Sequence, residues 1–139
     1  SNGELIVMGE RLSLKYIDIP IFVVATHTDH IAPWRSSFFG LNKSSGEKKF
    51  VLAGSGHIAG IINPAHSKKY GYWTNSKPFK EPDEWLKYAD KHEGSWWPSW
   101  SSWIKARSSH DIPAYIPGSH KNYPSLGLAP GKYVMKNYK

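Results

Sequence analysis

One stretch of the sequence decides the fold, residues 17–25, which read I-D-I-P-I-F-V-V-A. The stretch is short, rich in β-branched side chains and almost entirely apolar, which is typical of a strand buried on both faces of a parallel sheet. Pro20 lies near its start, where a missing backbone donor does least harm to the sheet. The polar cluster T-H-T-D-H follows at residues 26–30. The sequence therefore predicts a buried strand whose carboxyl end opens into a polar loop.

A second unit of the same kind follows along the chain. Pro33 fits the first turn of a helix over residues 34–41, and the run K-F-V-L-A at residues 49–53 predicts a second short strand. This strand also ends in a polar loop, G-S-G-H at residues 54–57. Strand, helix and strand in this order predict the α/β class.

The second half of the chain has a different character. Acidic residues in a first turn and Gly94 beyond the last turn predict a helix over about residues 82–92. Another short helix is predicted over residues 96–107. The proline-rich remainder is predicted to be mostly irregular, with a final strand at residues 133–135.

Composition limits the classes of function. The chain has 139 residues, which suits one domain, and no cysteine, so it contains no disulfide, thiolate metal site or cysteine nucleophile. No apolar run approaches the roughly 18–20 residues of a membrane-spanning helix. The net charge of +7 is spread along the chain. Such a balance suits ordinary solubility, and among specific partners it favours an anionic ligand over nucleic acid or a membrane surface.

Asp29 and His57 are the strongest catalytic candidates. Each lies in a polar loop after a strand, and ligands of open α/β sheets bind at the carboxyl ends of the strands. An aspartate that orients a histidine is the back half of a catalytic triad, and α/β-hydrolases have the aspartate before the histidine in the chain. No G-x-S-x-G or G-x-C-x-G elbow precedes them, and Ser55 follows Asp29 instead of preceding it. The residues alone leave open a catalytic dyad or two polar surface loops.

A metal site is the main competing hypothesis for the first loop. His27, Asp29 and His30 are similar to the second half of the H-x-H-x-D-H run of metallo-β-lactamase-like hydrolases. The first histidine of that run would fall at Ala25, inside the apolar strand. With one ligand missing, no metal is expected. The remaining histidines have no partner spacing and are predicted to be surface residues: His66, His92, His110 and His120.

A tryptophan-rich run, G-S-W-W-P-S-W-S-S-W, occupies residues 94–103. Trp96, Trp100 and Trp103 have helical spacings of four and three and therefore share one face. Aromatic residues interleaved with basic ones can stack on nucleic-acid bases, but no basic residue lies inside this run. A packing role, against the sheet or beside a ligand site, is the favoured interpretation.

Several ordered motifs resemble one family, and together they span roughly residues 5–135. The motifs are T-D-H-I-A-P-W at residues 28–34, G-S-G-H-I-A-G-I-I-N-P at 54–64, G-S-W-W-P-S-W at 94–100 and A-P-G-K-Y-V at 129–134. They look like the carboxyl-terminal part of polyhydroxyalkanoate synthases. This resemblance implies the carboxyl-terminal portion of an α/β-hydrolase-type fold, with a few mostly parallel strands packed with helices and an incomplete sheet. Residues 4–65 would be the strand and catalytic-loop part, and residues 66–139 the Trp-rich helical and irregular part.

The resemblance also implies an activity. Members of this family polymerise 3-hydroxyacyl groups from 3-hydroxyacyl-coenzyme A, release coenzyme A and need no further cofactor. They act in the cytoplasm at polymer granules. Asp29 matches the catalytic aspartate and His57 the catalytic histidine, which would act as the base that activates a cysteine thiol. Asp29 would orient His57 or help to deprotonate the incoming 3-hydroxyl group, and His30 falls near the coenzyme A passage as a substrate-binding residue.

The resemblance implies that the family nucleophile lies upstream of these motifs, and this chain has no cysteine. We therefore expect a part of a synthase that is inactive alone and needs the amino-terminal remainder as a partner, beside the growing polyester. Exposed strand edges and apolar faces predict a homo-oligomer. Two other hypotheses remain open at this point. One is a non-catalytic binding or assembly module that contacts polymer granules, a partner chain or coenzyme A, and the other is a hydrolase of related fold that uses its own serine.

Overall fold

A computed structural model describes residues 5–137 of the chain, and residues 1–4 and 138–139 lie outside the described part. The described residues divide into two compact units after Arg107. The first unit contains a four-stranded sheet with three helices. The second unit is mostly irregular.

The four-stranded sheet has the order β3-β4-β5-β6. Its strands are β3 (Ile21–Thr26), β4 (Lys48–Ala53), β5 (Tyr72–Thr74) and β6 (Asp90–His92). Strands β3 and β4 are parallel, with Ile21 opposite Lys48 and Thr26 opposite Ala53. The pairings of β4 with β5 and of β5 with β6 are antiparallel, so the sheet is mixed and not mostly parallel. The two antiparallel strands are short and half-exposed, which an antiparallel edge tolerates better than a parallel one.

The helices are α1 (Trp34–Asn42), α2 (Pro82–Lys87) and α3 (Trp97–Lys105). Side chains of a strand alternate between the two faces of a sheet. On one face, Phe50 and Leu52 of β4 pack with residues of α1 and α2. On the other face, Val51 and Ala53 pack with Trp96. Residues 50–53 of β4 are therefore buried on both faces, which explains the apolar run F-V-L-A. The core residues of the first face are Ala25, Trp34, Phe38, Leu41, Phe50, Leu52 and Trp85.

The helices predicted over residues 34–41 and 96–107 are confirmed as α1 and α3, and the strand predicted at 49–53 is confirmed as β4. The strand predicted at 17–25 is also found, but it begins later, at Ile21. These segments carry a strong local apolar pattern, which is why the sequence alone located them.

The prediction of a helix over residues 82–92 is wrong beyond Lys87. Residues Asp90–His92 form β6 and pair with β5, with Tyr72 opposite His92. The ring of His92 stacks on Tyr72 with centroids 4.7 Å apart, and its Nε2 lies 2.7 Å from the hydroxyl oxygen of Thr74. These contacts with a distant strand outweigh the local helix preference.

Further differences concern the two ends of the chain. A hairpin that the sequence did not predict joins β1 (Leu5–Val7) to β2 (Glu10–Leu12), and a short 3-10 helix follows at Leu14–Tyr16. In the second unit, the predicted strand at residues 133–135 is wrong, because Tyr133–Met135 forms a 3-10 helix. That unit is otherwise irregular as predicted, apart from the paired β7 (Ser119–His120) and β8 (Tyr123–Pro124). None of the helices in residues 5–137 has the length and apolar character that crossing a bilayer requires.

Candidate active site

Asp29 lies in the loop between β3 and α1, and its carboxylate is held from three sides. Oδ1 accepts the backbone N–H groups of Ile31 at 2.8 Å and Ala32 at 2.9 Å. Oδ2 accepts the hydroxyl of Thr26 at 3.2 Å. An aspartate bonds readily to backbone amides two or three residues ahead in a turn, which explains this local conformation. The Asp29 side chain is only 7% exposed.

His57 contacts Asp29 from the neighbouring loop. Its Nδ1 lies 2.8 Å from Oδ2 of Asp29, across a separation of 28 residues in the chain. Because β3 and β4 are parallel neighbours in register, their following loops leave the sheet at the same edge. Backbone bonds continue past the strands and fix the two loops together, from His27 N–H to the carbonyl of Ala53 at 2.8 Å and from Thr28 N–H to the carbonyl of Ser55 at 3.1 Å.

The charge state of Asp29 determines which nitrogen of His57 is available. The Ala32 amide, followed by the His57 side chain, holds the pKa of Asp29 well below its usual range, although burial acts in the opposite direction. Asp29 is therefore a carboxylate at neutral pH, and an ionised carboxylate only accepts hydrogen bonds. Nδ1 of His57 must then be the donor, which leaves Nε2 of the neutral ring as the proton acceptor. The His57 side chain is 47% exposed, so a reacting group can approach it.

The loop that carries His57 needs glycine at two positions where the backbone makes close contacts. A Cβ at Gly54 would lie 2.1 Å from the carbonyl oxygen of Tyr70. A Cβ at Gly60 would lie 2.4 Å from Cγ2 of Thr26 and 2.6 Å from the carbonyl oxygen of Gly54. Only a residue without a side chain lets the loop pack this closely.

The other histidines of the first loop have different surroundings. His30 is exposed, and none of the hydrogen bonds described around Asp29 involves it. His27 packs its ring against Trp73, with centroids 5.5 Å apart. Residues 5–137 contain no group of three His, Asp or Glu side chains placed to hold a metal ion. The structure therefore provides no cluster for the zinc alternative within the described residues.

A groove of about 610 Å³ lies away from the dyad. Its lining includes Lys48, the first residue of β4, whereas the dyad lies beyond Ala53, the last residue of that strand. The two features therefore occupy opposite ends of the sheet. The groove is therefore separate from the site formed by Asp29 and His57.

No family model matches the chain, but several curated proteins do. A poly(3-hydroxyalkanoate) polymerase subunit PhaC from Rhizobium meliloti (strain 1021) is 43% identical over 134 residues, which cover 96% of this chain and 22% of that protein. A poly(3-hydroxyalkanoate) polymerase from Methylorubrum extorquens is 43% identical over 135 residues, again 96% of this chain and 22% of that protein. The PhaC subunit from Cupriavidus necator is 36% identical over 132 residues, 95% of this chain and 22% of that protein.

The chain is related to one segment of the poly(3-hydroxyalkanoate) polymerases. It spans about 22% of the length of these curated relatives. The resemblance predicted from the sequence motifs is thereby confirmed at the level of the family.

The sequence gives no direct indication of two features of this site. Thr26 is the last residue of a strand, yet its hydroxyl bonds to Asp29. Trp96 and Trp97 were interpreted as packing residues, yet their indole N–H groups donate to carbonyls of the loop that carries His57. One signal was available, because each tryptophan has a single N–H donor that usually finds a partner when it is buried. The sequence does not show where that partner lies.

Proposed function

We propose that this chain is the carboxyl-terminal part of the catalytic domain of a polyhydroxyalkanoate synthase with an α/β-hydrolase-type fold. Its parent enzyme would polymerise 3-hydroxyacyl groups from 3-hydroxyacyl-coenzyme A and release coenzyme A. One observation carries the proposal. Asp29 and His57 meet at 2.8 Å where two parallel strands end. The names of the relatives, poly(3-hydroxyalkanoate) polymerases, support the substrate class.

In this proposal His57 is the general base. Its Nε2 takes the proton of a cysteine thiol that another part of the synthase supplies, since this chain has no cysteine. The thiolate attacks the thioester carbonyl of the substrate, the bond to the sulfur of coenzyme A breaks, and the imidazolium returns the proton to the departing coenzyme A thiolate. The 3-hydroxyacyl group is then held as a thioester on the cysteine. His57 next takes the proton of the 3-hydroxyl group of an incoming 3-hydroxyacyl-coenzyme A, and the hydroxyl oxygen attacks the acyl thioester on the cysteine. The carbon–sulfur bond breaks, the cysteine thiolate takes the proton back from the imidazolium, and the acyl chain, now one unit longer, remains on coenzyme A until the thiolate attacks it again.

The surroundings of Asp29 favour the orienting role over the role of a base. Its carboxylate accepts two backbone N–H groups and the hydroxyl of Thr26, beside His57. The Ala32 amide, the His57 side chain and the Ile31 amide stabilise the charged form and lower its pKa, which makes Asp29 a poor proton acceptor. We therefore assign to Asp29 the task of holding the donor nitrogen of His57 and stabilising the imidazolium.

The remaining parts of the proposal concern ligands and partners. We propose that the enzyme needs no cofactor besides its substrate, 3-hydroxyacyl-coenzyme A. We also propose that the exposed His30 binds the substrate beside the passage through which coenzyme A enters. The partners would be the growing polyester, the amino-terminal remainder of the synthase and a second copy of the chain. The enzyme would act in the cytoplasm at the surface of polymer granules.

A complementation assay tests this function. The chain is mixed with the amino-terminal remainder of a synthase that contains the cysteine, and release of coenzyme A from 3-hydroxybutyryl-coenzyme A is followed. We expect release from the mixture and none from the chain alone. The His57→Ala variant should abolish release, whereas the control His66→Ala, at an exposed position outside the dyad, should not. Release by the chain alone, or by the His57→Ala mixture, would contradict the proposal.

A second function is favoured by one specific observation. Large apolar side chains of residues 108–137 are highly exposed, with Leu126 at 97% and Leu128 at 92%. Such residues suit a non-catalytic module that contacts a polymer granule or a partner chain. If the complementation assay gave no release while the chain bound isolated granules, the assembly module would be the better description.

A further inference from the structure

A short helical turn carries His57. The amide of Gly60 donates to the carbonyl of Gly56 at 3.0 Å, and the amide of Ile62 donates to the carbonyl of Ile58 at 2.8 Å. His57 lies between Gly56 and Gly60 in the chain, so the position of its ring depends on the position of the turn. The carbonyl of Ile61 accepts the backbone amide of Asn63 at 3.1 Å, but the last carbonyls of so short a turn have no amide four residues ahead of them inside it. They need donors from elsewhere in the protein wherever they are buried.

Two indole groups supply those donors. Nε1 of Trp96 donates to the carbonyl of Gly60 at 3.0 Å in a buried bond, and Nε1 of Trp97 donates to the carbonyl of Ile61 at 3.0 Å. We call this pair of tryptophans the indole clamp. Each bond joins residues that are 36 positions apart in the chain, so the clamp is a tertiary feature and not a local cap.

The residue before the clamp adds a third bond to the same segment. The buried hydroxyl of Ser95 donates to the carbonyl of Asn63 and accepts the backbone N–H of Trp97 at 3.0 Å. Asn63 is itself buried and donates its side-chain amide to the carbonyl of Lys69 at 3.1 Å. Residues 95–97 therefore donate hydrogen bonds to three carbonyls in the segment that follows His57, those of Gly60, Ile61 and Asn63.

The segment held by the clamp also touches the support of Asp29. The backbone of Gly60 packs so closely against Thr26 that a Cβ would come within 2.4 Å of its methyl group. Thr26 is 1% exposed, and its hydroxyl donates to Asp29. A continuous chain of contacts thus runs from Trp96 through Gly60 and Thr26 to the dyad.

We propose that Trp96 and Trp97 are positioning residues for His57, because their N–H groups hold the turn in the place where Nδ1 meets Asp29. The use of His57 in catalysis rests on the proposed function, but the positioning is a property of this chain alone. In the polymerisation reaction the clamp would keep Nε2 at a constant distance from the thiol. It acts through the turn and touches neither substrate nor thiol.

Nuclear magnetic resonance of the chain tests the proposal through the Trp96→Phe variant, which keeps an aromatic ring and removes the donor. Two quantities are measured, hydrogen exchange of the amides at Gly60 and Ile62 and the signal of the His57 Nδ1 proton. We expect exchange at both amides to accelerate by about fivefold, since one net hydrogen bond shifts an opening equilibrium by about that factor. The Nδ1 proton signal should broaden, because its bond to Asp29 opens more often.

Two controls separate positioning from general destabilisation. Trp100→Phe makes the same change in the same helix at an indole that is 43% exposed. Its ring packs edge-on against Trp96 with centroids 6.2 Å apart, and because phenylalanine keeps an aromatic ring there, neither quantity should change. Trp85→Phe weakens the core on the opposite face of the sheet, so it should lower global stability without broadening the His57 signal. Unchanged exchange and an unchanged Nδ1 signal in Trp96→Phe would overturn the inference. So would equal broadening in Trp85→Phe.

A further variant keeps the test decisive if Trp96→Phe does not fold. Trp97 is less buried than Trp96, so Trp97→Phe removes one clamp bond at a smaller cost to the core. It should accelerate exchange at Ile62 by about threefold, toward the lower end of a net hydrogen bond. An Nδ1 signal that stays sharp while exchange accelerates would also overturn the positioning role. Failure of the complementation assay with these results intact would refute the proposed function alone.

Discussion

The close contact between Gly60 and Thr26 predicts that alanine at position 60 destabilises the protein. An added Cβ would lie 2.4 Å from Cγ2 of Thr26 and 2.6 Å from the carbonyl oxygen of Gly54, about 1 Å inside ordinary van der Waals contact. Thr26 cannot rotate freely away, because it is buried and its hydroxyl bonds to Asp29. Overpacking of this kind costs about 1–3 kcal/mol. We expect Gly60→Ala to lower the free energy of unfolding by about 2 kcal/mol.

Urea denaturation measures this effect. With a slope of about 2 kcal/mol per M, a loss of about 2 kcal/mol lowers the urea midpoint by about 1 M. The same variant should displace the Thr26 hydroxyl from Asp29 and broaden the Nδ1 proton signal of His57. Adding Thr26→Ser removes the methyl group that clashes and keeps the hydroxyl. The double variant should recover part of the midpoint, with the contact to Gly54 still unrelieved.

A matched control makes the prediction sharper. Gly40 lies inside α1 and has nothing within 4 Å of its hypothetical Cβ. Alanine there removes the entropic cost of a glycine in a helix and should raise stability by about 0.5–1 kcal/mol. The same substitution thus has opposite signs at the two positions. A Gly60→Ala midpoint within about 0.2 M of the parent protein, or a lower midpoint for Gly40→Ala, would refute the reasoning.

Three further predictions concern charge, core and assembly. Because the pKa of Asp29 is lowered in the folded protein, its ionised carboxylate stabilises the fold at pH values above the ordinary carboxyl pKa, and this stabilisation is lost as the pH falls below about 4. The Asp29→Asn variant should therefore show a smaller difference in urea midpoint between pH 7 and pH 3 than the parent protein. An unchanged difference would contradict this role of Asp29. Phe38→Ala removes a ring that is 2% exposed and should lower the free energy of unfolding by about 3–5 kcal/mol. The neighbouring Phe39 is 44% exposed, so Phe39→Ala should lower the free energy of unfolding by only about 0.5 kcal/mol. Equal urea midpoints for the two variants would show that Phe38 does not belong to the core. Strand β3 is a terminal strand of the sheet in the described residues, and the unpaired backbone groups of such an edge favour self-association. Light scattering should therefore detect an oligomer, and a monomer at high protein concentration would contradict the prediction.

Local pattern was enough to predict the central elements of the fold. Residues 50–53 of β4 are buried on both faces, so they form a continuous apolar run that can be recognised in the sequence without knowledge of its partners. The position of helix α1 was predicted from Pro33, which directly precedes its first residue. Strands β5 and β6 had no such signal, because they are three residues long and contain polar side chains. They are strands only because each pairs with a neighbour.

The sequence by itself indicated the resemblance to poly(3-hydroxyalkanoate) polymerases and the two candidate residues, because both depend on residue types in a fixed order. Asp29 and His57 follow predicted strands, and the chain is 43% and 36% identical to two of the polymerase relatives over most of its length. Only the tertiary structure decided that the two side chains meet, since this requires the parallel register of β3 and β4. It also revealed the indole clamp, whose donors and acceptors lie 36 residues apart. Hydrogen-bond partners at such separations are chosen by packing, which no local sequence pattern records.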